Sequence, residues 1–234
     1  LGIGFTDTNI KIGNTALDSL TVSNGNNIAV GHHALTATTT GYSNIGVGGN
    51  ALDANTTGYN NVAVGKDALG QNTDGFENVA VGKDALQSNT GGDYNVAIGV
   101  QALNANTTGT ENVSTGGFAL DANTTGSYNT AFGSRALGSN VGANNNTAVG
   151  RSALTANSNG GNNTAVGYEA LVSNTTADNN TAMGYQALAA NTTGAGNVAV
   201  GAYALDSNTT ASDNTAVGYL ALEVNTTGAN NTAV

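Results

Sequence analysis

Apolar and polar positions along the chain repeat with a period of 17 residues. Each unit reads Asn-x-Ala-Val-Gly-x-x-Ala-Leu-x-x-Asn-Thr-Thr-Gly-x-x, as in the stretch that begins Asn61-Val62-Ala63-Val64-Gly65. The alternation favours a strand with Val62 and Val64 on one face and Ala63 on the other. The glycine that follows permits a corner with positive φ, and Asn-Thr-Thr-Gly has the composition of a tight turn. Each unit is therefore predicted to be strand, corner, strand and turn.

Two columns of identical residues mark the repeat most clearly. The leading asparagine recurs at Asn27, Asn44, Asn61, Asn78, Asn95, Asn112, Asn129, Asn146, Asn163, Asn180, Asn197, Asn214 and Asn231. The corner glycine recurs at Gly31, Gly48, Gly65, Gly82, Gly99, Gly116, Gly133, Gly150, Gly167, Gly184, Gly201 and Gly218. An Ala-Leu pair and a second asparagine column, in which Thr38 is the exception, complete the unit.

Units of this length are too short for a pair of packed helices and bury an apolar face only by stacking. Pairing of each strand with its equivalent about 4.8 Å along the axis predicts an all-β parallel β-solenoid with one repeat per coil. We expect the aligned asparagine side chains to form ladders like those of stacked cross-β structures. Residues 1–26 are interpreted as degenerate entry coils, and residues 27–234 as one continuous array cut from a longer chain. No capping element is evident at either end.

Composition narrows the classes of function. Charged residues make up 9% of the chain, the net charge is −10, and Pro, Trp and Cys are absent. With 4 Phe and 8 Tyr the chain has few bulky groups, so we expect a thin core lined by Ala, Val and Leu. The acidic balance argues against nucleic acid as a partner, and no apolar run is long enough to span a membrane. The lack of cysteine excludes disulfides and thiolate metal sites.

The polar residues form no recognisable catalytic or metal-binding motif. The serines lack suitable His and acid partners, and the glycines follow the repeat and form no phosphate-binding loop. His32 and His33, as neighbours on a strand, are expected to point to opposite faces. Asp67 and Asp84 lie one period apart, but flanking lysines favour ordinary surface charge over calcium binding. The sequence therefore predicts no enzyme, no cofactor and no metal.

Two sets of side chains are candidates for surface contacts. Tyr168, Tyr185 and Tyr219 share one outward column, broken by Ala202, and either stack on sugars or cover the solenoid. The Thr-Thr pairs resemble the flat threonine arrays with which some solenoids bind ice, which is the alternative function. Their position between Asn and Gly favours a role in the turn. Asn-x-Thr triplets match the glycosylation pattern, a weak signal in a chain so rich in both residues.

The Asn-x-Ala-Val-Gly-x-x-Ala core, over about residues 9–234, resembles the head repeats of trimeric autotransporter adhesins. The resemblance implies a left-handed parallel β-roll assembled as a homotrimer. The unit here is longer, and with Asn-Thr-Thr-Gly it is also similar to repeats of bacterial surface and phage tail-fibre proteins. We therefore expect a structural segment of an extracellular fibre or adhesin, at a cell surface or in a virion tail fibre, that mediates attachment or assembly. Its expected partners are copies of itself, as homotrimer or filament, and cell-surface glycans or matrix.

Overall fold

A computed structural model describes residues 3–6, 8–21 and 25–234. All regular elements in these ranges are β-strands, and none is a helix with the length and apolar character of a membrane span. The strands are β1 Ile3–Thr6, β2 Asn9–Ile12, β3 Ile28–Val30, β4 Ile45–Val47, β5 Val62–Val64, β6 Val79–Val81, β7 Val96–Ile98, β8 Val113–Thr115, β9 Thr130–Phe132, β10 Thr147–Val149, β11 Thr164–Val166, β12 Thr181–Met183, β13 Val198–Val200, β14 Thr215–Val217 and β15 Thr232–Ala233. The chain forms two compact units, Leu1–Asn112 with β1–β7 and Val113–Val234 with β8–β15.

Parallel pairing between equivalent strands builds each unit. In the first unit Val62 of β5 lies opposite Val79 of β6, and in the second Thr147 of β10 lies opposite Thr164 of β11, 17 residues on in both cases. Strands follow one another in chain order, so each connection makes one coil. Both units are therefore parallel β-solenoids with one 17-residue repeat per coil, which confirms the predicted fold class. The expectation of a second strand after each corner was wrong, because that segment forms turns with left-handed residues such as Asp67 and Leu69.

The first strand departs from this pattern. Strand β1 pairs antiparallel with β2, with Ile3 opposite Ile12 and Thr6 opposite Asn9. It covers the edge of β2 that faces away from β3, which would otherwise present unpaired backbone groups. The expectation that no element caps this end was therefore wrong. The reason is that β1 precedes the first repeat and carries none of its signature.

Alanine, leucine and asparagine side chains fill the core, and valine does not. In β5 only Ala63 is fully buried, while Val62 is half-buried and Val64 is 38% exposed. The Ala-Leu pair after the corner, such as Ala68 and Leu69, is fully buried. Val62 and Val64 do share a face, but it is the outer one, so the expectation of a core lined by valine was wrong. From β3 to β14 the inner face of each strand accommodates a methyl group, except for the hydroxymethyl group of Ser114 and Gly46, which has no side chain.

Besides the corner glycine, three positions in each complete coil have left-handed backbone conformation, and all are non-glycine residues except Gly196. In the coil that starts at Asn61 these include Asp67 and Leu69, with φ of 57° and 49°. This conformation costs about 1–2 kcal/mol for a residue with a Cβ, whereas complete burial of a leucine side chain contributes about 2 kcal/mol. Burial therefore offsets the strain in the leucine column.

The corner glycine column carries a stronger constraint. Gly48 has a φ of 139°, and a Cβ on it would overlap the carbonyl oxygen of Gly65 in the next coil. Its neighbour Gly49 has ordinary backbone conformation, and a Cβ there would meet nothing within 4 Å. Position 48 therefore requires glycine, whereas position 49 also has room for a side chain.

We expect Gly48→Ala to lower the free energy of unfolding by at least about 2 kcal/mol, because it combines backbone strain with overlap. Gly49→Ala is the matched control and should change this free energy by less than about 0.5 kcal/mol. Urea denaturation followed by circular dichroism measures both. Equal midpoints for the two variants would contradict the role of the corner.

Candidate functional site

The leading asparagine column forms a buried hydrogen-bond ladder. Asn61 is fully buried, its Nδ2 donates to the carbonyl oxygen of Gly75 at 2.8 Å, and its Oδ1 accepts the backbone N–H of Asn78 at 3.0 Å. The second unit repeats this arrangement, for example at Asn163. Each side chain thus ties a strand to the turn of its own coil and to the strand of the next.

The second asparagine column forms another ladder beside the first. The Nδ2 of Asn72 donates to the Oδ1 of Asn55 at 2.8 Å and to the carbonyl oxygen of Gly75 at 2.9 Å. Asn61 donates to the same carbonyl, so both columns converge on a single turn residue. Because Asn72 and its equivalents are fully buried, these bonds remove the penalty of enclosing amides in the core.

Thr38 stands at the start of the second column, one repeat before the first asparagine of its ladder. It is fully buried, and its Oγ1 has no hydrogen-bond partner within the part of the chain that the structure describes. Asn55, the next residue of this column, donates to the carbonyl oxygen of Gly58 at 3.1 Å. The unpaired hydroxyl of Thr38 therefore lowers the stability of the core locally, because a buried polar group without a hydrogen bond costs free energy.

In each unit an apolar surface runs over the outside of the strands. We call it the strand face and define it by the first and third residues of each strand from β3 to β14. In the first unit it comprises Ile28, Val30, Ile45, Val47, Val62, Val64, Val79, Val81, Val96 and Ile98. In the second it comprises Val113, Thr115, Thr130, Phe132, Thr147, Val149, Thr164, Val166, Thr181, Met183, Val198, Val200, Thr215 and Val217. Exposed fractions reach 42% at Ile98 and 54% at Phe132.

The predicted tyrosine column belongs to a continuous aromatic ladder. Tyr168 and Tyr185 stack with ring centroids 5.3 Å apart, and Tyr203 fills the gap in the column, 5.3 Å from Tyr185 and 6.3 Å from Tyr219. The guanidinium of Arg151 lies 5.6 Å from the centroid of Tyr168 and forms a cation–π contact. Tyr185 and Tyr219 are nonetheless 45% and 72% exposed, so the ladder is also open to solvent on the surface of the second unit.

A second aromatic ladder, in the first unit, was missed by the sequence analysis. Tyr42, Tyr59 and Phe76 stack almost in parallel with centroids 4.9 and 4.8 Å apart, and Tyr94 meets Phe76 edge-on at 5.2 Å. Tyr42, Tyr59 and Phe76 are spaced by one repeat, so a search of each column for aromatic residues finds them. Both ladders stabilise their own unit.

The histidine pair lies elsewhere than expected. His32 and His33 follow the corner Gly31 and belong to a turn, and their rings meet edge to face with centroids 4.0 Å apart. The expectation that they point to opposite faces of a strand was therefore wrong. The Nδ1 of His33 lies 3.2 Å from the Oγ1 of Thr15. Across residues 3–6, 8–21 and 25–234, no group of three or more His, Cys, Asp or Glu residues is arranged to hold a metal.

The two aspartates that lie one period apart are each paired locally. Asp67 accepts a hydrogen bond from the Nδ2 of Asn50 at 2.8 Å and lies 2.9 Å from the Nζ of Lys66. The hydrogen bond from Asn50 and the neighbouring Lys66 lower the pKa of Asp67, although partial burial opposes them. Asp84 pairs with Lys83 at 3.2 Å. Both carboxylates thus belong to local ion pairs, and Asp84 is largely buried.

The Asn-Thr-Thr-Gly turns use their polar groups internally. The Oγ1 of Thr56 donates to the carbonyl oxygen of Thr73 at 3.0 Å, and Thr73 donates to Thr90 in the same way. The first threonine of each such pair is therefore part of a ladder between coils. The asparagine of an Asn-Thr-Thr triplet such as that of Asn55 is fully buried and so inaccessible to glycosylation in the folded chain, whereas the triplet Asn162-Asn163-Thr164 begins with an exposed asparagine.

Comparison with protein-family models, with curated proteins and with solved structures finds no match for this chain. Function is therefore inferred from the solenoid surfaces themselves. Of these, the strand face is built from Val, Ile, Thr, Phe and Met side chains alone, while the aromatic ladders and the ion pairs have partners within the chain.

Asn163 allows a test of the asparagine ladder. Its Nδ2 donates to the carbonyl oxygen of Ala177 at 2.8 Å, so Asn163→Asp replaces a donor with a buried carboxylate that faces this oxygen. We expect a loss of about 2–4 kcal/mol in the free energy of unfolding near pH 7. Burial raises the pKa of the new carboxyl above its unfolded value. The loss should therefore be smallest below about pH 4, where the protonated group can donate, and grow as the pH rises.

The control is Asn162→Asp, at the adjacent exposed position, where the equivalent residue of a later coil is Asp213 with the same backbone conformation. Thermal unfolding of both variants between pH 3 and pH 8 provides the comparison. A pH-independent difference, or equal losses in both variants, would count against the ladder.

Thr38→Asn should extend the second ladder by one member. We expect it to raise the free energy of unfolding by about 1 kcal/mol, because a buried hydroxyl without a partner is replaced by an amide that can bond to Asn55. Thr38→Val, which only removes the hydroxyl, is the control, and thermal unfolding is the measurement. Equal stabilisation by both variants would show that continuity of the ladder is not the cause.

Proposed function

We propose that this chain is a structural segment of an extracellular fibre or adhesin that projects from a cell or virion surface and mediates assembly and attachment. The observation that carries the proposal is the strand face, an uncovered apolar surface on a regular parallel sheet. The resemblance of the repeat to the heads of trimeric autotransporter adhesins supports a homotrimer as the assembled form. A filament of copies is the other form that the same surface allows.

The strand face has the character of a surface that packs against a copy of itself. Val64, Val81 and Ile98 are 36–42% exposed, and their columns follow the spacing of about 4.8 Å between paired strands. Soluble monomers rarely expose apolar patches of more than a few hundred Å². Burial of such a surface contributes about 25 cal/mol for each Å² removed from water.

The distribution of charge supports the same conclusion. None of the residues that define the strand face is Asp, Glu, Lys or Arg, although the chain has a net charge of −10. Copies that meet through this face therefore desolvate no charged side chain, and the acidic residues stay on the other surfaces. Stability within each unit comes from bonds between adjacent coils, as expected for a solenoid that serves as a scaffold.

Ice binding is the alternative function. The threonine pairs of the turns motivated it, but their first hydroxyl groups are engaged in ladders between coils. The strand face also carries Phe132 and Met183, which interrupt a flat lattice of small side chains. Measurement of thermal hysteresis separates the two functions, since only an ice-binding solenoid depresses the freezing point below the melting point.

Two lysine substitutions test whether the strand face is the surface through which copies of the chain assemble. We expect the purified chain to be a stable oligomer in light scattering, and Val64→Lys combined with Ile98→Lys to shift it to the monomer, because assembly would bury two unpaired charges. The control variant combines Thr57→Lys with Thr108→Lys, which adds the same charge at two exposed turn positions. This variant should remain oligomeric. A parent chain that is monomeric at high concentration would contradict the proposal, as would equal behaviour of the two variants.

A further inference from the structure

A notch on the surface of the second unit combines an aromatic ring with converging polar groups. Its volume is about 220 Å³. It is lined by Phe118, Asp121, Arg135, Gly138, Ser139 and Thr155. The notch arises because Gly138 has no side chain, whereas the residues one period before and after it are Asp121 and Thr155. All six residues lie in the segments that follow the corner glycines, so none belongs to the strand face.

The polar groups of the notch are available for a ligand. Asp121 and Arg135 form no ion pair with each other or with any other residue of the described chain. Burial raises the pKa of Asp121, while hydrogen bonds from the backbone amides of Asp121 and Ala122 and the charge of Arg135 act against this rise. These two bonds leave other lone pairs of the carboxylate to accept from a ligand. The Oγ1 of Thr155 donates to the carbonyl oxygen of Arg135 at 2.9 Å, which leaves the lone pairs of this hydroxyl free to accept. Ser139 adds an exposed hydroxyl.

The ring of Phe118 differs from those of the aromatic ladders. It is 40% exposed, and no other ring of the described chain stacks on it. An apolar platform beside a few convergent polar groups is the usual make-up of a small-ligand site. Sites for drug-sized molecules begin at about 300 Å³, so a notch of this volume suits a ligand of one ring.

We propose that this notch binds a single pyranose residue of a surface glycan. The C–H face of the sugar packs on Phe118, and neighbouring hydroxyl groups donate to the carboxylate of Asp121 and accept from the guanidinium of Arg135. A carboxylate at its centre disfavours phosphate and sulfate, and one carboxylate alone makes a poor divalent-cation site. The inference rests on the proposed function, because several weak notches on an assembled fibre act together.

The test uses saturation-transfer NMR on the intact chain with the methyl glycosides of mannose, galactose, glucose and N-acetylglucosamine as probes. We expect saturation transfer to at least one glycoside, with a dissociation constant on the order of millimolar, as for a small ligand with few contacts. Gly138→Val should weaken this binding at least about tenfold, because the side chain fills the notch. Val172 occupies the same column in a later coil, which shows that the backbone accepts valine there.

The matched control is Gly70→Val, which makes the same substitution in the same column of the first unit. A Cβ at Gly70 would lie 3.2 Å from a backbone oxygen, and one at Gly138 would lie 3.3 Å from the equivalent oxygen. This variant should bind like the parent chain. Asp121→Asn, which keeps the shape and removes the charge, should weaken binding at least about threefold, as loss of a charge-assisted hydrogen bond does. Circular dichroism checks that all variants are folded.

Three results would overturn the inference: no transfer to any of the four glycosides, equal binding by the Gly138→Val and Gly70→Val variants, or displacement of the sugar by glutamate or phosphate with equal affinity. Light scattering on the same samples keeps the two proposals apart. A monomer whose sugar binding depends on Gly138 contradicts only the proposed assembly. A trimer without such binding contradicts only the notch.

Discussion

One carbonyl oxygen in each coil holds the repeat together. In the coil that starts at Asn61, the Gly75 carbonyl accepts the side-chain amides of both Asn61 and Asn72, and each of these asparagines also bonds to an adjacent coil. Aspartate has no donor for this carbonyl, alanine has neither donor nor acceptor, and glutamine places its amide one methylene farther out. The narrow core and the short unit depend on this arrangement together with the leucine column, because buried amides and one buried leucine per coil take the place of the many large apolar side chains of a globular core.

Much of the fold follows from the repeat, while some of its details do not. The period and the alternation in β5 predict strands, their parallel stacking and the shared face of Val62 and Val64. Alternation alone does not say which face is inner. The nearly constant alanine at the strand centre was the informative signal, because a position that accepts little more than a methyl group adjoins a narrow interior. Strand β1 lies outside the repeat, so the 17-residue period does not predict it. Tyr203 completes its aromatic ladder from a neighbouring column, which a search by period alone does not find.

In the solenoid, the residues that stabilise the fold and the residues that contact solvent occupy different positions of the repeat. Core positions are almost invariant from coil to coil, whereas the strand face changes from valine and isoleucine in the first unit to many threonines in the second. The segments after the corner vary most. Replacement of a side chain by Gly138 in this variable column creates a notch without disturbing the buried asparagines. A scaffold of this kind can acquire a contact site through one or two substitutions, since no core residue needs to change.

The side-chain amides of both asparagine columns are aligned. Asn72 directs its nitrogen to the oxygen of Asn55, and the oxygen of Asn61 receives the backbone N–H of Asn78, so in both columns the acceptor oxygen faces the following coil. Aligned amides polarise one another, and a stack built from them has a donor side and an acceptor side. When the acceptor side of one stack meets the donor side of another, the two are complementary. When two donor sides or two acceptor sides meet, they are mismatched. The asparagine columns thereby give the repeat a polarity. An added coil continues the hydrogen-bond pattern only when it stacks in register and in the same orientation as the coil before it.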